Sequence, residues 1–532
     1  MKRCPECRRD YYDDTLLYCL DDGTPLLNGP GASTTWAAGR NNSIFSEAPT
    51  IIGGSAAQHQ FSDSDPLSRM SNSIAVLPFV NMSADPENEY LCDGLAEELL
   101  NALSRIDDLK VAARTSAFSF KGTKTSISSI GQTLGVQTIL EGSVKKSRDR
   151  VRITVKLINA EDGYQIWSER FDRELDDIFA IEDEITLAVV ESLKLKVFGE
   201  KREAIIKRYT NNAEAYQLYL MGRFQFNKFS EEGCIKAIDY FEQTLAIEED
   251  YAPAYAGVAE VCGMQWYVGT YANPELIERE REAVARAIEL APGLAESYRS
   301  RALLRCYVDW DFVGAGEDYR KTLELNPNDA LAHAWHALWL AAMGHKEKAV
   351  RSATRARELD PLSVNGSLMS GWAMWFSGQY DGALDTALAC LELDPLCSDA
   401  LRLQGNALWG LDDVQGAKLA LERSIAVEPR PLAYTSLCAL LSMMGDEEGK
   451  NAQLTEILRL YELKRAPAVT VAYIFLALGE FDEAFRWFEK ALENRDGEML
   501  FMRAWPRWLN PVYDDPRFTD LLRRIGLPDQ ER

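Results

Sequence analysis

Histidine is scarce, with four in 532 residues, which leaves little material for imidazole catalysis or metal centres. No stretch reads as GxxxxGK[ST], as GxGxxG after a strand, as HRD or DFG, as HExxH or as GxSxG. Phosphate-loop, kinase, zinc-protease and serine-hydrolase chemistry therefore have no signature here. Long apolar runs are missing too. The best candidate, Ala466 to Leu478, contains Pro467 and Thr470, and a membrane-spanning helix needs ~18 apolar residues or more. The start, Met1-Lys2-Arg3-Cys4-Pro5-Glu6-Cys7, has no apolar core and does not read as a secretory leader. Basic residues are outnumbered, 58 Lys and Arg against 82 Asp and Glu, for a net charge of −24. Such a surface does not coat nucleic acid as a whole, so a basic contact has to be local. Seven of the ten cysteines are scattered without a pairing framework, as expected of buried thiols in a reducing cytosol. The expectation is a cytoplasmic protein. At ~100–200 residues per domain its length suggests several domains.

The other three cysteines crowd the first twenty residues. Cys4-Pro5-Glu6-Cys7 is a CxxC, and Cys19-Leu20-Asp21-Asp22 follows with aspartate where a fourth cysteine would complete the pattern. Two short loops giving two ligands each suit tetrahedral zinc, and a carboxylate is an allowed ligand. Residues 1–27 are expected to be a zinc-ribbon-like knuckle with a structural zinc on Cys4, Cys7, Cys19 and Asp22, and two short strands within Tyr11 to Tyr18. Residues 28–72 are rich in Gly, Ser, Ala and Asn with no period, the composition of a disordered tether.

Residues 73–199 alternate strand and helix signals. Ile74 to Phe79 is a short apolar run, Asp93 to Ile106 has helical spacing, and Leu109 to Ala113 is a second strand. A helix over Ile127 to Leu134 stops at Gly135. Three strands follow, Val136 to Val144, Val151 to Asn159 and Tyr164 to Asp172, and then a helix from Leu175 to Val197. The order predicts a mixed sheet with helices packed on it. Ala75-Val76-Leu77-Pro78-Phe79, Asp93-Gly94-Leu95, Ala113-Arg114-Thr115-Ser116, Leu140-Glu141-Gly142-Ser143-Val144 and Ile166-Trp167-Ser168-Glu169-Arg170 together resemble the TolB amino-terminal-like (FlgO-like) domain. The resemblance implies a bacterial signalling protein and carries over no established chemistry. Lys145, Lys146, Arg148, Arg150, Arg152 and Lys156 form a basic hairpin. No aromatic residues interleave with them, so the stripe reads as a solvated face rather than a base-stacking surface. Asp176, Asp177, Glu182, Asp183 and Glu184 read as acids favoured at a helix start.

The next segment is periodic. Pro292, Pro327, Pro361, Pro395 and Pro429 are spaced by 35, 34, 34 and 34 residues, each after a helix ending, and Ala349, Ala383 and Ala417 recur twelve residues before three of them. A 34-residue helix–turn–helix unit of this kind is the tetratricopeptide repeat. About eight units are expected over 210–497, with a C-terminal cap over 498–532 that covers the last apolar face. The expected fold is therefore multidomain: knuckle, α/β mixed-sheet domain and an all-α repeat superhelix. His333 and His336, three apart, fall at packing positions and lack further ligands for a metal.

Asn365, Leu368, Trp372, Trp375 and Phe376 make one helical stripe, and Asp399, Arg402, Asn406 and Trp409 its counterpart one unit later. Similarity to other repeat arrays places Leu368, Trp372, Trp375, Phe376, Arg402, Asn406 and Trp409 in a partner-binding groove. Aromatics and Arg are favoured anchors at interfaces. Alternatively, the tryptophans fill the gaps between units. The expected function is a non-enzymatic protein-binding scaffold in bacterial signalling. The competing reading is a transcriptional regulator that meets nucleic acid through the knuckle and the basic hairpin.

Overall fold

The computed structural model describes residues 2–3, 10–11, 27–28, 72–148, 150–174, 178–195, 208–268, 273–506 and 512–527, and the chain falls into two compact units, Met1–Asp63 and Ser64–Arg532. In the first unit β1 (Lys2–Arg3) lies between β2 (Asp10–Tyr11) and β3 (Leu27–Asn28), antiparallel to both. The expected zinc ligands Cys4, Cys7, Cys19 and Asp22 lie outside the described residues. So does nearly all of the expected tether.

The second unit opens with a mixed sheet in the order β6-β4-β7-β8-β9. Its strands are β4 (Ser73–Val76), β5 (Val80–Asn81), β6 (Lys110–Val111), β7 (Thr138–Ser147), β8 (Arg150–Asn159) and β9 (Gln165–Glu174). β4 runs parallel to β6 and β7, and β7, β8 and β9 form an antiparallel meander. Strand period dictates the faces: Val151, Ile153, Val155 and Leu157 are all fully buried, while Arg150, Arg152 and Lys156 point outward. α1 (Glu89–Ser104) covers the buried face with Leu91, Leu95, Leu99 and Leu103, and α4 (Ile178–Ser192) adds Ile181, Ile185 and Val189. α2 (Arg114–Phe118) follows β6, and α3 (Ile127–Leu134) closes the opposite face with Ile130 and Leu134 against Ala75, Ile139 and Ala160.

Among the described residues, eight helical hairpins follow. They pair α5 (Ala213–Phe226) with α6 (Glu231–Ile247), α7 (Ala252–Val268) with α8 (Pro274–Leu290), and α9 (Ala295–Leu303) with α10 (Phe312–Leu325). Next come α11 (Ala330–Ala342) with α12 (Lys346–Leu359), α13 (Val364–Phe376) with α14 (Tyr380–Leu393), and α15 (Ser398–Gly410) with α16 (Val414–Val427). The last two are α17 (Pro431–Met444) with α18 (Glu447–Glu462) and α19 (Ala468–Leu478) with α20 (Phe481–Asn494). Ala349, Ala383 and Ala417 are fully buried, as close helix crossings demand. Gly344 and Gly378 turn the chain inside their hairpins at φ +81° and +82°, a region that glycine enters without steric cost. α21 (Pro516–Ile525) caps the array, burying Phe518, Leu521, Leu522 and Ile525 and pairing Arg524 with Glu489.

The sheet domain and the hairpins are joined by buried charge. Glu97 of α1 takes Arg114 and Arg223; Arg223 reaches on to Glu260, Glu260 to Arg299, and Arg299 to Asp329. Burial pushes the carboxyls of Glu97 and Glu260 up, and the guanidinium groups beside them more than reverse this, holding both below the usual range. Around the ladder, Asn328 Nδ2 donates to the carbonyls of Ser104 and Leu109 at 3.1 and 2.8 Å, and Asp360 accepts from the backbone N–H of Ser116 at 3.0 Å. The N–H of Ala113 donates to the Leu359 carbonyl at 2.8 Å. Arg299→Met strands the carboxylate of Asp329 and leaves Glu260 with Arg223 alone, and is expected to cost ~3–5 kcal/mol in chemical denaturation, well beyond the value of a surface pair.

A buried acid of α8 has no ion pair among the described residues. Glu280 of α8 is fully buried against α7; Trp266 Nε1 donates to its Oε2, and Oε1 has no partner. Burial pushes its carboxyl from 4.5 up to about 8, with the Trp266 bond and Arg281 pulling the other way. A folded-state pKa above the unfolded one means that the protonated form stabilises. That contribution is full below pH 4.5 and is lost as pH rises to about 8. Glu280→Gln is therefore expected to match the parent near pH 5. Above pH 8 it should be more stable by on the order of 2 kcal/mol, read from melting curves across pH.

Candidate partner site on the helical array

The aromatic stripe forms where α13 meets α15. Helical spacing puts Leu368, Trp372, Trp375 and Phe376 on one side of α13 and Arg402, Asn406 and Trp409 on one side of α15. The structure brings Trp372, Trp375, Phe376 and Arg402 together and sets Trp409 in a separate cluster, and it does not leave them as an open groove. Trp375 is fully buried, and its Nε1 donates to the Asn406 carbonyl at 3.0 Å, tying α13 to α15. Trp409 packs against Ala417, Leu421, Leu437, Leu440 and Leu441 of the neighbouring helices. Both tryptophans are inter-hairpin packing, which corrects the expectation that they line an exposed surface. Leu368, Phe376 and Asn406 are buried as well. Trp372 and Arg402 remain half-buried, with the guanidinium 4.0 Å from the Trp372 ring centroid.

The rest of the stripe is covered by the chain's own residues 495–505, a strap that leaves α20 and contains a short 3₁₀ turn at Gly497–Phe501. Phe501 stacks on Phe376 at 5.0 Å with the rings 3° apart. Trp505 meets Trp375 edge-on at 5.7 Å and lies 4.8 Å from Tyr473 of α19. Met499, Leu500 and Met502 of the strap are themselves fully buried. Polar contacts hold the ends: Asp496 accepts from the Val469 N–H at 3.0 Å, Arg495 donates to the Val308 carbonyl at 3.1 Å, and Arg503 donates to the Met343 carbonyl at 2.9 Å. The strap thus touches hairpins from α9 to α19. Sequence spacing missed it because its residues carry no repeat period. The signal available was the run Met499-Leu500-Phe501-Met502 with Trp505, too apolar for a solvated loop.

Charge at this site is incompletely matched. Arg402 is lowered by burial, against which Asp399 and then Glu498 of the strap act. Its Nε is buried without a hydrogen-bond acceptor and stands 3.6 Å from Asp399 Oδ1, while Asp399 also pairs with Arg430 at 3.0 Å. Glu498 is raised by burial, partly offset by Arg402. Asn406 donates through Nδ2 to the Arg402 carbonyl and to Ser436 Oγ, but its Oδ1 receives no hydrogen bond.

The basic hairpin is partly neutralised within the domain. Arg150 and Arg152 both donate to Asp172, whose carboxyl they hold down at about 2, and Lys156 pairs with Glu141 at 3.2 Å. Glu182 is more than a helix-start acid: it accepts from the hydroxyl of Tyr216 on α5, and burial, then the charge of Glu98, raises it to about 8. His333 contacts the Pro327 carbonyl at 3.1 Å, and His336 stacks on Trp339, which are packing roles. Among the described residues no group of three or more His, Cys, Asp or Glu is placed to hold a metal, and no helix is long and apolar enough to cross a membrane.

Comparison with known proteins adds two family models. One described as the second domain of HilA/YgeH-like transcriptional regulators matches residues 70–187, the region expected from its motifs to be a TolB-type domain, and the model that matches there is not a TolB-type one. A tetratricopeptide-repeat model matches residues 469–496, which span α19 and α20. Putative adenylate cyclase 3 of Rhizobium meliloti (strain 1021) is 38% identical over 187 residues, 35% of this chain and 32% of that protein. The chain therefore covers about a third of the length of this curated relative. Similar solved structures include YrrB, a tetratricopeptide-repeat protein with an unusual peptide-binding site (19% identical, 36% of this chain and 94% of that one, TM-score 0.28). Another is PilF of Pseudomonas aeruginosa (15% identical, 40% of this chain and 96% of that one, TM-score 0.31).

The burial pattern separates the two tryptophans of α13. Trp375→Ala is expected to destabilise the array by ~3–5 kcal/mol through loss of a fully buried ring. Trp372→Ala, at the half-buried mouth, is expected to cost only ~1 kcal/mol, mainly its cation–π contact with Arg402. Denaturant titration of both variants measures the difference.

Proposed function

We propose that the chain is a non-enzymatic scaffold of bacterial signalling whose helical hairpins hold a partner protein, with the sheet domain fixed against them as a second binding face. The observation that carries this reading is the run of eight stacked hairpins with a tetratricopeptide-repeat match at 469–496. Stacked hairpins present a long, rigid, multi-residue surface suited to an extended or helical segment. The relationship to part of a putative adenylate cyclase and the match to a transcriptional-regulator domain favour signalling as the setting.

A second reading, contact with nucleic acid, is favoured by that same regulator-domain match and by Lys145, Lys146 and Arg148 at the hairpin turn. The internal pairing of Arg150, Arg152 and Lys156 and the net charge of −24 weigh against it. A structural zinc on Cys4, Cys7, Cys19 and Asp22 remains part of the proposal.

Co-purification with the full chain, followed by chemical cross-linking, tests the choice. The scaffold reading expects a saturable partner cross-linked to the first helices of the hairpins. It also expects binding unchanged by Lys145→Glu and Lys146→Glu together. Tight duplex-DNA binding that weakens steeply with salt and disappears in that double variant would instead support the regulator.

A further inference from the structure

We propose that residues 495–505 are an intramolecular occupant of the partner site, and that the partner is a protein segment with the same chemistry. That chemistry is an acid followed by aromatic residues three and seven positions later, as in Glu498, Phe501 and Trp505. The proposal rests on the scaffold reading and specifies its partner.

Three observations carry it. The strap is a peptide segment already seated across hairpins from α9 to α19, with its two aromatic rings on the aromatics of α13 and α19. The 3₁₀ turn at Gly497–Phe501 places Glu498 and Phe501 one turn apart on one side, and the turn that follows carries Trp505, so an acid and two aromatic anchors sit within eight residues, as peptide ligands of grooves place theirs.

The second observation is that the seat is imperfect. The strap fills the apolar half of the site and leaves the polar half wanting. Arg402 Nε has no acceptor, and Asn406, 1% exposed, keeps an Oδ1 with no donor. Each such buried atom is destabilising relative to one that is paired. A partner segment that brings a carboxylate to Arg402 and a backbone N–H to Asn406 recovers what the strap does not. Met499, Leu500, Phe501 and Met502 of the strap belong to the main core, so exchange is a small difference of large terms only for a partner that fills the same volume.

The third observation concerns the anchors. Arg495 and Arg503 each donate one hydrogen bond, to the carbonyls of Val308 and Met343; Arg495 also lies over the Trp310 ring at 5.5 Å, and among the described residues neither pairs with a carboxylate there. Held at both ends by α20 and α21, the strap competes as a tethered ligand at high effective concentration. A free segment then binds only when the strap is out, and its apparent affinity falls by the fraction of time the site is open.

Hydrogen exchange on the unmodified full chain is the first test. The proposal expects the amides of residues 497–505 to exchange at least tenfold faster than those of α13 and α19, because the strap leaves without unfolding the array. Equal protection, with strap and helices exchanging together, would overturn it and make the strap a fixed part of the core. The second test uses a labelled peptide of residues 495–506 and the full chain carrying Arg495→Ala and Arg503→Ala, which loosens the strap without emptying the apolar site. Binding to this variant is expected to be at least tenfold tighter than to the parent. It should be lost when the peptide carries Phe501→Ala and Trp505→Ala, and weakened several-fold by Arg402→Met in the protein. Equal binding to parent and loosened variant, with both folded by circular dichroism, would sink the idea. Either failure leaves the scaffold reading standing, since that reading is decided by where a native partner cross-links.

Discussion

The buried ladder from Glu97 through Arg223, Glu260 and Arg299 to Asp329 is the constraint on which the larger unit depends. Its members come from α1, α5, α7, α9 and the start of α11, so one chain of charges crosses the joint between the sheet and four successive hairpins. Each desolvated carboxylate is tolerable only while its guanidinium partners stay in place. A sliding of the sheet along the hairpins would break at least one link and leave a bare charge in an apolar joint. The apolar contacts around it, which are non-directional, impose no such register. Asn328 and Asp360 add to the same effect, because each bonds to backbone groups at one fixed position of the sheet domain.

A rigid joint of this kind makes the hairpins a stable platform and shifts the freedom of the molecule elsewhere. The strap at 495–505 crosses the array instead of extending it, and it is tied by single polar bonds at its ends. Its contacts combine the rings of Phe501 and Trp505 with the buried side chains of Met499, Leu500 and Met502. Such contacts give large burial with modest directional demand, so a different segment with similarly placed rings can take them over. Arg402, whose charge acts on Glu498 of the strap, sets the finer specificity, since hydrogen-bonding groups left unpaired discriminate more sharply than a missing methylene.

The fold was legible in good measure before any coordinates. Alternation in Val151 to Leu157 set the faces of β8, and the proline period with Ala349, Ala383 and Ala417 set the hairpins, because strand and helix periods follow from local geometry. The site was only half legible. Helical spacing correctly grouped Leu368, Trp372, Trp375 and Phe376, but spacing reports the side of a helix and not what covers it. Whether Trp375 faces solvent or Trp505 depends on contacts between residues more than a hundred positions apart. The charges at Arg223, Glu260 and Arg299 sit 37 and 39 residues apart on successive first helices with alternating sign. That repeat-phased alternation was a readable sign of the ladder.

What the amino-acid order determined by itself was local: strand faces, hairpin length, turn positions and the apolar stripe of each helix. Each follows from steric limits and from the need of a single hairpin to share its core with neighbours. What only the tertiary structure decided was pairing at long range. It joined Glu97 to Arg223, seated Phe501 on Phe376, and buried Glu280 without an ion pair among the described residues. These outcomes depend on which desolvated groups find partners once the layers close, a property of the assembled interior and not of any segment within it.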